Sequence, residues 1–524
     1  MKTMIYSLAL AALMSLGSCN DDDPILTQKD WDGTATYFAS TDEQFSTYYR
    51  PYVGYVGDPM PFYDPVEQNF KILYLQEFRP NQEATYHPIW GVSTKDVGSY
   101  QSLGEVIPTG NASEADAAIG TGSTIYNESE KVYYTFYTGH SANLEVVMMA
   151  TSSDFKTWTK SKTFYLQGND YGYSAKDFRD PFVFKGDEGV YHMIVSTMQG
   201  TKGVLAEFVS SDLKSWEHKG VFMSMMWDRF YECPDVFKMG DWWYLVYSEK
   251  HVAIRKVQYF KGHTLEELKA CTANDAGIWP DDHEGLLDSR AFYAGKTASD
   301  GTNRYIWGWC PTREGNNNTS VGAAPNEPQW AGNLVAHRII QHEDGTLSLG
   351  SVEGIDKKYT SKSSLKVMAK SDNGVSENAG NYVLTGNAFV LFNRLNVANK
   401  ISFTVKTTDK TDKFGFSLVC GTDSKKYYSI VVNPEDNGNK KKLNFEEQGE
   451  EGMGFINGID GYLFNTPSDN EYHVTVYTDN SVCVVYINDN VAYTNRIYGT
   501  QKNCWSINCY EGTVEVSNVE VSYY

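Results

Sequence analysis

Three acidic residues recur beside prolines along the chain: Asp58 in "GDPMPF" (57–62), Asp180 in "FRDPFVF" (178–184) and Glu232 in "YECPDVF" (231–237). Carboxylates gathered in one place raise one another's pKa. Such a cost is tolerated where a proton must be held near neutral pH. Cleavage of a glycosidic bond needs that arrangement, one carboxylate ionised and one carboxylic acid protonated; a separation of about 5–5.5 Å gives retention through a glycosyl-enzyme. Taken singly, each acid has a blander reading, because Asp-Pro is a common turn dipeptide and Asp64-Pro65 reads as one. Three copies of one feature favour the chemical reading. Proline biases the residue before it toward extended backbone, so Asp58 and Asp180 are expected to be extended.

The elements that position these acids are short strands. From about residue 50 to 350, apolar runs such as "FKILYLQEF", "KVYYTFYTG", "VYHMIVST", "WWYLVYS" and "RYIWGW" alternate with turn residues, interrupted by one short helical pattern at 263–270. "SSDFKTW" at 152–158 returns as "SSDLKSW" at 210–216, an offset of 58 residues. "RDPFVFKGDEGVYHMIVS" returns as "ECPDVFKMGDWWYLVYS", with a fainter copy at 57–77. A repeat of this length holding about four strands indicates propeller blades, and the stretch accommodates about five. Equivalent positions of successive blades converge on one axial funnel, so Asp58, Asp180 and Glu232 are expected to meet there. Residues 353–384 are rich in Lys, Ser and Gly and read as a linker. Alternating strands then continue to Tyr524. The expected fold is all-β: a five-bladed β-propeller over 37–352 and a C-terminal β-sandwich over 385–524 that buttresses it.

Composition narrows the partners. Forty-five basic against 66 acidic residues give a net charge of −21, which disfavours nucleic acid and polyanionic substrates. Aromatics at 14% suit both β structure and the flat faces of sugars, so a neutral oligo- or polysaccharide is the expected partner. No zinc or EF-hand pattern occurs, and neither metal nor cofactor is expected. The N-terminus has a basic start, an apolar core too short to span a bilayer, and "LGSC". Residues 1–18 therefore read as a lipoprotein signal peptide and Cys19 as the lipidated residue. Residues 19–36 form an acidic tether beginning "NDDD", which resembles the export signal of surface lipoproteins in Bacteroidetes and predicts an outer-membrane, surface-exposed location. Seven further cysteines without a C-x-x-C pattern read mostly as buried thiols, although Cys504 and Cys509 could pair.

The "RDP" and "EC" segments resemble signatures of glycoside hydrolase family 32, the fructan hydrolases and invertases. "GDPMPF" stands where that family's N-D-P-N-G belongs. "ILYLQEFRP", "IWGVSTKD" and "IGTGSTI" resemble its next motifs, and the likeness continues through the sandwich. The resemblance implies a retaining hydrolase of fructosyl linkages, levan or inulin type. In it Asp58 is the nucleophile, Glu232 the general acid and base, and Asp180 the transition-state stabiliser. Arg179, Gln76, Trp90 and Ser123 would bind substrate. The sequence departs from the family at Gly57, Met60-Pro61 and Val92, which alters the leading subsite. Two alternatives follow: a propeller hydrolase of arabinan or xylan type, and a surface glycan-binding lipoprotein without catalysis.

Overall fold

The computed structural model describes residues 45–524, apart from 79–85, 142, 226–229, 252–253, 272–284, 314–328, 421–426, 435–439, 450–451, 456–461 and 502. The signal, the tether and Cys19 therefore lie outside the described residues. The described chain is almost entirely sheet, in a five-bladed propeller followed by a sandwich of two sheets, each of eight strands. No described helix is long and apolar enough to cross a membrane.

Each blade runs in chain order from the axis outward. The innermost strands are Tyr55–Asp64, Ala118–Asn127, Phe178–Lys185, Tyr231–Met239 and Tyr293–Ser299. They lie side by side in a ring, the fifth against the first. The next strand outward, such as Asn69–Glu77, is buried along its whole length because neighbouring blades cover both faces. The rim strand Gln101–Ile107 is mostly exposed. Apolar layers fill the seams: Met60, Leu73 and Ile119 join Tyr133 and Tyr137 between the first two blades. Phe136, Val147, Val195 and Phe208 fill the next seam. Helix Leu265–Ala270 is capped by the Thr264 side chain and inserts Leu268 beside the fourth blade.

The repeated "SSD" turns are one device used three times. Asp154 and Asp212 each accept backbone N–H bonds from the two residues at +2 and +3, and the following Trp158 and Trp216 indoles donate to Phe155 and Leu213 carbonyls. Asp96 does the same with Gly98 and Ser99, so the turn recurs at 96, 154 and 212, always 58 residues apart. Asp64 is a turn acid, accepting from Val66 N–H and from the Tyr133 hydroxyl.

Two expectations are corrected. The stretch 353–384 is not a bare linker: Ser361–Lys362, Val367–Lys370, Val375–Asn378 and Asn381–Thr385 pair into the sandwich sheets. Its polar composition is that of exposed strands, and Val367–Lys370 and Val375–Asn378 lie at sheet edges, where charge opposes intermolecular pairing. Asp58 and Asp180 are not extended, with φ of 27° and 57°. Each sits in a β-bulge, where the register slips between Gly57 and Met60 and between Arg179 and Phe182. All seven described cysteines are free thiols, Cys504 and Cys509 among them.

Candidate active site

The bulge recurs in every innermost strand. Register also slips between Gly120 and Gly122, between Glu232 and Asp235, and between Tyr293 and Lys296. Cys233 and Ala294 share the positive φ of Asp58 and Asp180. A bulge bends the strand and re-aims side chains. Here it turns two successive positions of each blade toward the axis. Aligned on the bulge, Asp58, Thr121, Asp180, Cys233 and Ala294 are equivalent. Glu232 is not equivalent to the two aspartates, as its closeness to Pro234 suggested; it stands one position earlier, in register with Gly57, Gly120, Arg179 and Tyr293.

These residues line a cavity of about 110 Å³ walled by Asp58, Thr121, Arg179, Asp180, Glu232, Cys233, Tyr293 and Trp330. This is well below the ~300–1,000 Å³ typical of pockets for drug-sized ligands, so it suits one ring rather than a chain. Asp58 is held by two donors: the Trp309 indole N–H at 2.8 Å on Oδ1 and the Thr121 hydroxyl at 2.9 Å on Oδ2. Burial raises its pKa; Trp309 and Thr121 oppose that, while Glu232 adds to it. Asp180 is 4% exposed and accepts the Cys233 backbone N–H on Oδ2 at 2.8 Å. Burial, opposed by Arg179 and reinforced by Glu232, pushes its pKa up to about 7.

Glu232 accepts from Arg179 Nη2 at 3.2 Å and from the Tyr293 hydroxyl at 2.6 Å. Arg179 also donates to Glu145 and Asp177 and lies 4.0 Å from the Phe230 ring centroid. Burial works against its charge, but Glu145 and Glu232 more than offset that and hold it firmly protonated. Lys296, 1% exposed, crosses from the fifth blade to the Gly122 carbonyl.

Of the residues proposed from sequence, the fold gathers Asp58, Asp180, Glu232 and Arg179 around this cavity. Gln76, Trp90 and Ser123 do not line it. Gln76 is buried and its amide donates to the Val53 carbonyl, because it pairs opposite Val56 and turns toward the bend at Gly54. Trp90 packs edge to face with the ring of Phe78, which directly follows the adjacent strand Asn69–Glu77. Ser123 stitches two blades, donating to the Pro181 carbonyl and accepting from Val183 N–H. Thr121, Tyr293, Trp309 and Trp330 were not singled out from sequence. Bulge alignment would have selected Thr121 and Tyr293. Trp330 had one trace: a Cβ on Gly57 would lie 2.2 Å from its ring, so only glycine fits beneath it. The same ring stacks on His87, with centroids 4.7 Å apart.

A family model described as "Glycosyl hydrolases family 32 N-terminal domain" matches residues 48–350, and one described as "GH32, BT1760-like, C-terminal domain" matches 345–521. Among curated proteins, the chain is 24% identical over 294 residues to a beta-fructofuranosidase, the insoluble isoenzyme CWINV2 of Arabidopsis thaliana, covering 51% of this chain and 49% of that one. It is 28% identical over 188 residues to a fructan 6-exohydrolase of Beta vulgaris, covering 33% and 30%. The chain thus spans about half the length of the first relative and less than a third of the second. The solved sucrose-6-phosphate hydrolase from Lactobacillus gasseri has the same fold, with a TM-score of 0.68 at 16% identity, covering 97% of this chain and 99% of that one.

Proposed function

The chain belongs to glycosyl hydrolase family 32, and from that premise we propose that it hydrolyses fructosyl linkages in a neutral fructan, levan or inulin type, with retention of configuration. The observation that carries the reading is one small cavity walled by Asp58, Asp180 and Glu232 together.

In this mechanism Asp58 attacks the anomeric carbon of the fructosyl unit. The Trp309 and Thr121 donors fix both carboxylate oxygens, so little reorganisation accompanies attack. Glu232 gives its proton to the leaving oxygen, then takes one from the water that opens the glycosyl-enzyme. Arg179 and Tyr293 hold it in place throughout. Asp180 bonds the ring hydroxyls beside the reacting carbon and faces the positive charge that develops there.

Charge favours a neutral substrate over a phosphorylated one. The sole cation walling the cavity among the described residues is Arg179, and three carboxylates already engage it. A phosphate would have to displace one of them inside a chain of net charge −21. The wall above Gly57 is the Trp330 ring, a stacking face in place of the asparagine side chain of N-D-P-N-G. That favours a sugar presenting a flat face over one presenting a polar edge.

The test is product analysis of the purified protein on levan, inulin, sucrose, sucrose 6-phosphate and arabinan, with the anomer of the first product followed by NMR. Release of fructose or fructo-oligosaccharides from a fructan, with the β-anomer first, is expected. Cleavage of arabinan alone, or an inverted product, refutes it. We also propose that Cys19 anchors the enzyme to the outer membrane. Cys19→Ser is expected to move it from the membrane to the soluble fraction, and an unchanged distribution counts against the anchor.

A further inference from the structure

Propellers must close a ring, and the closing seam is their weakest joint unless something fastens it. Here the described strands of the fifth blade are all late ones, Tyr293–Ser299 to Leu347–Gly350, and among the described residues no strand from the start of the chain completes it. Among the described residues, one strand pairing joins the fifth and first blades, Val56 opposite Gly332, with backbone and side-chain bonds from Leu334 and Asn333 to the carbonyls of Tyr49 and Tyr48. Val56 lies two residues before Asp58, so the nucleophile's strand forms one side of this seam.

The sandwich grips both sides. Asp479, fully buried, accepts three successive backbone N–H bonds, from Ser46 at 3.1 Å, Thr47 at 2.6 Å and Tyr48 at 3.0 Å, and so holds the chain entering the first blade. Arg496, 1% exposed, spreads its guanidinium over the end of the fifth blade. Its Nε donates to the Pro311 carbonyl at 2.9 Å. Its Nη2 donates to the Cys310 carbonyl at 2.9 Å and to Asn333 Oδ1 at 2.6 Å. Nη1 donates to Ser481 at 2.9 Å. The two groups share one end of a hairpin: Asp479 pairs with Val482, and Val482 with Arg496. A planar fork with several fixed donors suits this task, which lysine cannot reproduce.

Cys310 directly follows Trp309, whose indole donates to Asp58. Asn333 directly follows Gly332, which pairs with Val56. The Cys310 carbonyl and the Asn333 amide that Arg496 holds are therefore each one residue from a group that positions the nucleophile, and the Pro311 carbonyl is two residues from Trp309. Asp180 stands on the third blade and Glu232 on the fourth, away from the seam. We propose that Arg496, with Asp479, is a positioning residue of the reaction: the sandwich latches the propeller ring at the blade that carries Asp58 and sets the Trp309–Asp58 contact. This rests on the fructosyl-hydrolase reading for its assay, but not for its geometry.

The test is a double-mutant cycle in the full chain with Arg496→Lys and Trp309→Phe. Arg496→Lys is expected to lower kcat at least tenfold while KM changes less than threefold. It should also move the acid limb of kcat/KM to higher pH, because loosening the indole contact removes a donor that favours ionised Asp58. The double variant should be no slower than Trp309→Phe alone, since both act through one contact. Fully additive losses, or a lower unfolding temperature with kcat and the acid limb unchanged, overturn the proposal. If Arg496→Lys does not fold, Asp479→Asn, which keeps one acceptor oxygen for the entering chain, is expected to shift the limb in the same direction, and no shift there overturns it equally. Absence of hydrolysis in the unsubstituted protein on every fructan tested is a failure of the functional reading instead. Chymotryptic cleavage after Tyr48 or Tyr49, in the entering segment, then serves as the readout: Arg496→Lys should accelerate it, and unchanged cleavage refutes the latch.

Discussion

Replacing Asp180 with asparagine should make the protein more stable and less active at once, and the size of the gain should depend on pH. The Asp180 carboxyl has a pKa of about 7 in the fold, against about 3.9 for a free aspartate. At ~1.4 kcal/mol per pH unit, holding this group ionised costs the folded state up to ~4 kcal/mol. A folded-state pKa above the unfolded value means the penalty is absent below about pH 4 and complete above about pH 7. Asparagine removes it while keeping an oxygen for the Cys233 N–H, which donates at 2.8 Å. The expected advantage of Asp180→Asn is therefore ~4 kcal/mol at pH 8.5, about 2 kcal/mol at pH 5.5 and close to zero at pH 4. Unfolding of both proteins at these pH values, followed by tryptophan fluorescence, measures it. Turnover on the preferred fructan should fall by orders of magnitude in the same variant. A variant equally or less stable at pH 8.5, or a difference that stays constant down to pH 4, would refute burial as the cause.

Asp58→Asn and Glu232→Gln should each reduce hydrolysis by several orders of magnitude with circular dichroism unchanged, since both supply chemistry rather than packing; near-normal turnover in either ends the mechanism. Trp309→Phe alone should raise the acid limb of the kcat/KM profile, because the indole bond favours the charged form of Asp58; an unmoved limb removes Trp309 from the site. Gly57→Ala places a Cβ 2.2 Å from the Trp330 ring and should destabilise the protein by about 1–3 kcal/mol. Adding Trp330→Ala should restore that stability while raising KM, and a double variant as unstable as Gly57→Ala contradicts the packing.

The blades were legible because their turns repeat as chemistry. Asp154 and Asp212 sit 58 residues apart in near-identical words, and the same spacing leads back to Asp96, where the words had drifted but the N–H bonds had not. The three acids were legible for the same reason. Side-chain direction was not. Along a strand it alternates with every residue, and a bulge reverses the count. Ser123 lies on an innermost strand and Gln76 on the strand beside one, yet Ser123 faces the neighbouring blade and Gln76 the bend at Gly54, while Thr121, two residues before Ser123, reaches Asp58. Trp330 and Tyr293 could be found only by aligning bulges or by asking what forbids a side chain at position 57. The edge strands of 361–378 were hidden by their exposure, which gives the composition of a loop.

The one-residue offset of Glu232 has a chemical consequence that equivalence would have removed. Bulge alignment sorts the funnel into two levels. One holds Asp58, Thr121, Asp180 and Cys233; the other holds Arg179, Glu232 and Tyr293. The bonds from Thr121 to Asp58 and from Cys233 N–H to Asp180 lie in the first, and those from Arg179 and Tyr293 to Glu232 in the second. Successive strand residues are offset by about 3.3 Å along the strand. In the proposed retaining mechanism the nucleophile and the acid approach the anomeric carbon from opposite sides, and a one-residue offset adds to the separation that their different blades already give them. Had Glu232 occupied the place of Cys233, it would have stood at the height of the two aspartates, where like charges raise one another's pKa. Setting the acid one residue back gives it an arginine and a tyrosine as neighbours, and frees the Cys233 N–H to steady Asp180. In the proposed mechanism the Glu-Cys order of "YECPDVF" thus adds to the separation of the proton donor from the nucleophile.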